Sequence, residues 1–563
     1  MELLHPGVYV QEVPSAVRPI EGVSTSTAAF IGIADKGPVP GHILPTGKIA
    51  QPVLVTSLTD YSRQFGGFRS DAFLAYAVRA FFENGGQRLY IIRIFPAPSG
   101  TVGSPPLPLF PGVAGTAVGS GGSGFNILAA NEGAWGNNIW VQIVPSSDGD
   151  TVNNFKLLVM YGLTQNEAKG NVVEAYDGLT FQNSSSLLPG ASAPGSYART
   201  AINSRSEYIA ITNDFTAAPP VMANPVQLSG GSDSVLPAAS DFIGAAAIDN
   251  TRTGTGLHAL DKVTDVNIIA IPGQGDPLTV NEGMEYCKNQ RPLQDVFFIG
   301  DVGSVVDGSG VTQVPLARSE SNAPSVVTIA DARNYATTGF NGTQLDKAAG
   351  DFGAIYFPWA YAPDPIGTGR NPIILLPPSG FMAGIYARID GSRGVFKAPA
   401  GTEAGLAGVI APYREISDTE QDSLNPVMVN AIRTVPNSGL VVWGSRTIGS
   451  DASWRYVPVR RMAIFLRVSI YYGIQWAVFE PNDEPLWAEL RLNIRAFMLT
   501  QFRAGAFQGS TPDDAFFVKC DSSTTTQQDI DNGVVNILVG FAPLKPAEFV
   551  VLKLSQKVNQ PTQ

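Results

Sequence analysis

Three histidines are the first candidates for proton transfer: His5 near the start, His42 in a Pro/Gly-rich loop and His258 in a helical context. Hydrolysis through a nucleophile needs a Ser–His–Asp set, and His258 with Ser232 or Ser379 and Asp233 or Asp301 supplies the residue types. Neither serine sits in a G-x-S-x-G elbow, and a chain this long offers such triples by chance. No HExxH, paired-cysteine or calcium-loop spacing appears, so neither a metal nor a cofactor is expected. Gly254-Thr255-Gly256-Leu257 lacks a third glycine and a clear preceding strand, which makes it a turn and not a phosphate loop. Cys287 and Cys520 match no metal or redox spacing and read as buried free thiols. The carboxylates Asp513-Asp514 and Glu480 to Glu484 read as solvated acidic loops. A hydrolase built on the Ser/His/Asp set is therefore the alternative, and a non-enzyme the main expectation.

The residues that could do chemistry must be positioned by several cores, because 563 residues exceed what one core holds. The hydrophobic fraction of 44% is that of a globular protein, while charged residues make up only 15%, against about 25% on average. Two readings fit: a surface largely buried in an assembly, or loops that use Ser, Thr, Asn and Gly in place of charge. A net charge of −11 argues against a broad nucleic-acid-binding surface. Met1-Glu2-Leu3-Leu4-His5-Pro6-Gly7 lacks the basic and apolar regions of a secretory signal, so a cytoplasmic product without one is expected. The apolar stretch 462–479 carries Arg467 and Gln475 and reads as a buried helix or strand pair rather than a membrane span.

Along the chain, Val8, Tyr9, Val10 and Val13 form a strand-prone segment bracketed by Pro6, Pro14 and Pro19. The apolar runs 27–33, 89–95, 266–272, 296–301 and 353–359 predict strands buried on both faces. Ser70-Asp71 and Gly85-Gly86 are expected to bound a helix, and further helices are expected near 241–248, 279–290 and 342–350. Short strand-like segments between 97 and 230 predict a small all-β insertion. The fold class is thus α/β and α+β multidomain. It comprises an N-terminal arm (1–21), a discontinuous α/β core (22–96 plus 231–368), an inserted β-rich domain (97–230), an α+β C-terminal domain (369–542) and a C-terminal arm (543–563). The strongest helix runs from about 485 to 503 with Trp487, Leu490, Ile494, Phe497 and Met498 as its apolar stripe.

Several motifs carry a family resemblance. Pro6-Gly7-Val8-Tyr9-Val10-Gln11-Glu12-Val13-Pro14-Ser15, with Arg18-Pro19-Ile20 and Gly22-Val23-Ser24-Thr25-Ser26, resembles the amino terminus of contractile tail sheath proteins. Gly133-Ala134-Trp135-Gly136-Asn137-Asn138, Tyr356-Phe357-Pro358-Trp359 and Arg393-Gly394-Val395-Phe396-Lys397-Ala398-Pro399 continue it. Trp443-Gly444-Ser445-Arg446-Thr447, Gln475-Trp476-Ala477-Val478-Phe479-Glu480-Pro481-Asn482-Asp483 and Ala542-Pro543-Leu544-Lys545-Pro546-Ala547-Glu548-Phe549 complete it. The order and spread of these motifs from end to end make the resemblance specific.

The resemblance implies a mechanical subunit of a phage tail, a tailocin or a contractile injection system. Such subunits stack as six-fold helical rings around an inner tube protein and work with baseplate and terminator or cap proteins. They need no nucleic acid and no membrane insertion, and they contract to drive the tube through a target envelope. It further implies that the termini add strands to a neighbour's sheet. The residues expected to do so are Val8, Tyr9, Val10, Val13, Phe549, Val550, Val551, Leu552 and Leu554, all short strand formers behind proline-bearing spacers. The competing reading pairs 534–542 with 548–554 as a hairpin within one chain. Arg491, Arg495 and Arg503 could face the tube, and solvated arginines opposite the apolar stripe fit equally well.

Overall fold

The computed structural model describes residues 18–96, 113–118, 125–149, 154–181, 197–213, 219–233, 237–247, 253–307, 310–312, 316–317, 323–340, 342–368 and 370–549. The chain divides into two compact units. One holds residues 24–392 and 399–455, and the other holds the N-terminal segment up to Val23, residues 393–398 and everything from Tyr456 onward.

In the first unit, the apolar runs become a single eight-stranded sheet. Its order is Val53–Val55, Leu89–Arg93, Ala28–Gly32, Ile268–Ala270, Phe297–Asp301, Gly353–Phe357, Val429–Val435 and Gly439–Val442. The six inner strands are parallel, and the strand at each edge is antiparallel to its neighbour. Parallel strands are covered on both faces, which is why AAFIG, FFIGD and GAIYF read as unbroken apolar runs. The sheet continues past residue 368, where the discontinuous core was expected to end, into strands at 429–442.

Helix Leu74–Glu83 packs on this sheet, with Phe81 edge-on to Phe30 at 5.6 Å. It starts later than Ser70-Asp71 because Asp71 is engaged elsewhere, accepting both Nε and Nη2 of Arg69 at 2.7 and 2.6 Å. Helix Ser379–Arg393 lies tightly against it: a Cβ at Gly384 would stand 2.5 Å from the Phe81 carbonyl. The helix expected at 342–350 is instead a loop ending in a short 3₁₀ turn, Gly350–Phe352. The helix forms upstream at Ile329–Thr337, where Thr328 and Asp331 make a capping box.

The insertion is β-rich but not all-β. A four-stranded antiparallel sheet and a three-stranded sheet enclose Trp135, Ile139, Val141, Ile143, Leu157 and Val159. Helices Gln165–Gly170 and Ala198–Arg205 are added to them. Two arginines join the insertion to the large sheet. Fully buried Arg93 donates to the carbonyls of Ala34, Gly37 and Glu132 at 3.2, 2.6 and 2.9 Å. Arg69 lies 3.4 Å from Asp233, whose other contact is the Ala134 N–H at 3.0 Å.

The second unit is built on two helices, Val457–Gly473 and Glu484–Arg503, and a two-stranded antiparallel sheet, Phe516–Lys519 with Leu538–Phe541. The apolar stretch 462–479 is thus mostly helix, and among the described residues no helix is long and apolar enough to cross a membrane. Leu538–Phe541, the strand within 534–542, pairs with Phe516–Lys519; of the segment 548–554 only Glu548 and Phe549 are among the described residues, so the hairpin reading falls outside them.

Candidate functional site

The residues proposed for hydrolysis are not assembled. His258 Nδ1 lies 3.2 Å from Asp261, and its ring stands edge-on to Tyr286. Ser379 donates its Oγ–H to Asp301 at 2.8 Å and its backbone N–H to the same carboxylate at 2.7 Å. Asp301 also accepts the Gly273 N–H at 2.9 Å. Burial outweighs these three donors and pushes the Asp301 carboxyl up to about 6. Asp233 serves Arg69 and Ala134, as above, and Ser232 has a buried hydroxyl without a hydrogen-bond partner.

In open α/β sheets a ligand crevice forms outside the carboxyl ends of the strands, where the strand order reverses. Here the reversal falls between Ala28–Gly32 and Ile268–Ala270. Next to it, Phe73 packs against Gly273 and, at 5.5 Å, against Trp359, whose indole N–H is bonded to Val302. Apolar side chains thus fill that region of the fold. Among the described residues no cluster of three or more His, Cys, Asp or Glu could hold a metal. Cys287 and Cys520 are free and buried, and burial raises both thiols, Cys520 to about 11.

The second unit carries the surfaces expected to work. Helix Glu484–Arg503 begins at Asp483, whose carboxylate accepts the Leu486 N–H, with Pro485 in its first turn. Its buried side is the expected stripe of Trp487, Leu490, Ile494, Phe497 and Met498. On the other side, Arg491 donates to Glu484 at 2.7 Å and to the Cys520 carbonyl, and Arg495 to Asp513 at 2.8 Å. Arg503 is exposed in the last turn. Two of the three arginines expected at the tube therefore already hold acidic or carbonyl partners in their own unit.

The two-stranded sheet leans on this helix, and among the described residues no third strand joins either side of it. Phe517 is 45% exposed and Leu538 52% exposed on it. Beyond Phe541 the chain makes one bridge, Pro543 to Phe507, and then runs without strand pairing to Phe549, which is 76% exposed. Of the expected arm residues Phe549 alone is described; Val8, Tyr9, Val10, Val13, Val550, Val551, Leu552 and Leu554 lie outside the described residues. What sequence reasoning missed is the seat of residues 18–23 on the helix pair. The signal was present in Arg18-Pro19-Ile20 and Gly22, too short to show periodicity.

Comparison with known proteins places this geometry. The model of the phage tail sheath protein central domain matches residues 246–448, and that of the phage tail sheath C-terminal domain matches residues 449–557. A prophage major tail sheath protein of Pseudomonas aeruginosa (strain UCBPP-PA14) is 26% identical over 174 residues, 31% of this chain and 44% of that relative. The match therefore spans less than half of the relative's length. Among solved structures, the sheath of the extracellular contractile injection system PVC in its contracted state is 21% identical, with a TM-score of 0.54 over 99% of both chains. The helical sheath of the anti-feeding prophage, also contracted, is 20% identical with a TM-score of 0.52, over 98% of this chain and 99% of that one. A sheath tail protein from Listeria innocua is 11% identical with a TM-score of 0.56, over 93% of this chain and 96% of that one. At these identities the structural likeness is one of fold, and the two family matches cover more than half of the sequence. The chain belongs to the phage tail sheath family.

Proposed function

We propose that this chain is the sheath subunit of a contractile, phage-tail-like particle. It polymerises helically around an inner tube and shortens to drive that tube through a target envelope. The observation that carries the reading is the two-stranded sheet at Phe516–Lys519 and Leu538–Phe541, in a chain of the sheath family. A pair of strands is marginal alone and gains by adding strands. Backbone groups on its outer sides are a template for another chain, and exposed Phe517 and Leu538 offer apolar contact to an incoming segment. The terminal segments at 1–17 and 549–554 supply such strands to neighbouring copies. Head-to-tail exchange of this kind is heterologous and generates helices when it does not close.

Contraction then exchanges one set of contacts between rigid units for another, with the exchanged strands as tethers. The partners are further copies of the chain, the tube protein, and baseplate and cap proteins. At the tube, exposed Arg503 is the arginine of this helix that holds no acidic partner among the described residues, with Arg491 and Arg495 beside Glu484 and Asp513.

Negative-stain electron microscopy of the purified chain tests this, beside a version lacking residues 1–17. Hollow tubes of uniform diameter that disappear on truncation are expected. Dispersed monomers from the full chain, over a range of salt and with the tube protein supplied, would overturn the reading.

A further inference from the structure

We infer that residues 18–23 are a fixed root that seats the N-terminal segment on the helix pair of the second unit, with Ile20 and Gly473 as its positioning residues. This deepens the sheath reading, on which its mechanical meaning rests. The segment has no helix or strand of its own, yet it is held at both ends and in the middle. At one end the Arg18 N–H donates to Asn493 Oδ1 at 3.0 Å, and its guanidinium lies 4.4 Å over the Trp476 ring and 3.7 Å from Glu489. At the other, the Val23 N–H donates to Ser469 Oγ at 3.1 Å. Between them Ile20 enters the core formed by Met462, Leu466, Ile494 and Phe497.

Two details say that the helices are shaped for this segment. Ser469 and Asn493 are fully buried on otherwise apolar helix faces, where a polar side chain is costly without a partner. Ser469 Oγ and Asn493 Oδ1 each accept a backbone N–H of the segment, while Asn493 Nδ2 is buried without a hydrogen-bond partner. The second detail is space. A Cβ at Gly473 would lie 2.6 Å from Ile20 Cγ2, and one at Gly22 would lie 2.9 Å from Phe465 Cζ. Gly473 ends its helix, where alanine would be the better helix former. The missing methyl makes room for Ile20.

The consequence is a place where load enters. When a neighbouring copy pulls on the chain ahead of Arg18, the pull enters the helix pair at Arg18 and Ile20 before the chain passes at Ser24 into the unit with the eight-stranded sheet.

The test is hydrogen exchange on the full-length chain, dispersed, for wild type, Gly473→Ala, Ile20→Ala and the double variant, followed by electron microscopy of each. In wild type the Arg18 and Val23 amides should exchange at least about tenfold more slowly than an open amide. Gly473→Ala should abolish that protection while helix Val457–Gly473 stays protected, and the double variant should recover part of it by relieving the overlap. Tubes should be lost or altered in Gly473→Ala and partly restored in the double variant. Unprotected amides in wild type, or protection unchanged in Gly473→Ala, would overturn the root. A released root with wild-type tubes would overturn its positioning role. If wild type forms no tubes even over a range of salt and with the tube protein supplied, the sheath reading fails, while the exchange data still decide the root.

Discussion

Asp301 ends strand Phe297–Asp301 and gathers the N–H groups of Gly273 and Ser379 and the hydroxyl of Ser379. Ser379→Ala removes one donor from a buried carboxylate and should cost about 1–3 kcal/mol in denaturant unfolding. The pH dependence has a definite sign. Because the folded carboxyl titrates at about 6, above its ordinary value near 3.8, the folded state holds the proton more tightly. The associated stability is complete below about pH 4 and is lost as pH rises through about 6, on the order of 3 kcal/mol in all. Melting curves from pH 4 to 7 should show that loss in wild type and not in Asp301→Asn, whatever opposite slope other carboxylates add to both. Serine and aspartate were legible as candidates, but their service to a helix and a loop was not, because residues 273, 301 and 379 meet only in the folded chain. Arg491 and Arg495 were similarly legible as charges, while Glu484 and Asp513 became their partners through tertiary placement.

Elements were legible where burial on both sides leaves an unbroken apolar run, as at Ala28–Gly32, Phe297–Asp301 and Gly353–Phe357. Helix Glu484–Arg503 was legible through its apolar stripe, whereas its Asp483 cap, in a segment read as a solvated acidic loop, was not. Ends were less so, since the carboxylate of Asp71 had a choice between capping a helix and meeting Arg69, and took the arginine. Strand order was not legible at all: 429–442 joins the sheet through pairings with Gly353–Phe357, more than 70 residues earlier. Arg93 shows what one side chain does for a whole element. It is buried, with its ionisation pulled down to about 10 by that burial, and it binds carbonyls both on the loop that follows strand Ala28–Gly32 and on the insertion. Arg93→Met keeps the length and strands those carbonyls, so a loss of about 3–5 kcal/mol is expected in chemical denaturation. Limited proteolysis should then cut within the insertion first.

At the scale of the molecule, fold and assembly separate at the surface of the two-stranded sheet. Phe517 is half exposed, so Phe517→Glu should change unfolding stability by no more than about 1 kcal/mol. A charge beside the place where a strand would add should nevertheless prevent tubes, as seen by electron microscopy and sedimentation. Reversing Arg503 to Glu tests the other surface: self-assembly should persist, while co-sedimentation with the tube protein should fall. The division into two units carries a further consequence, one of timing. Residues 18–23 leave the ribosome well before the helices that seat them, which begin at Val457. At roughly 5–20 residues per second, that wait is about 20–90 s. The seat of residues 18–23 is therefore completed only after the whole unit that bears the eight-stranded sheet has been translated, and a product that stops short of helix Glu484–Arg503 leaves those residues without it.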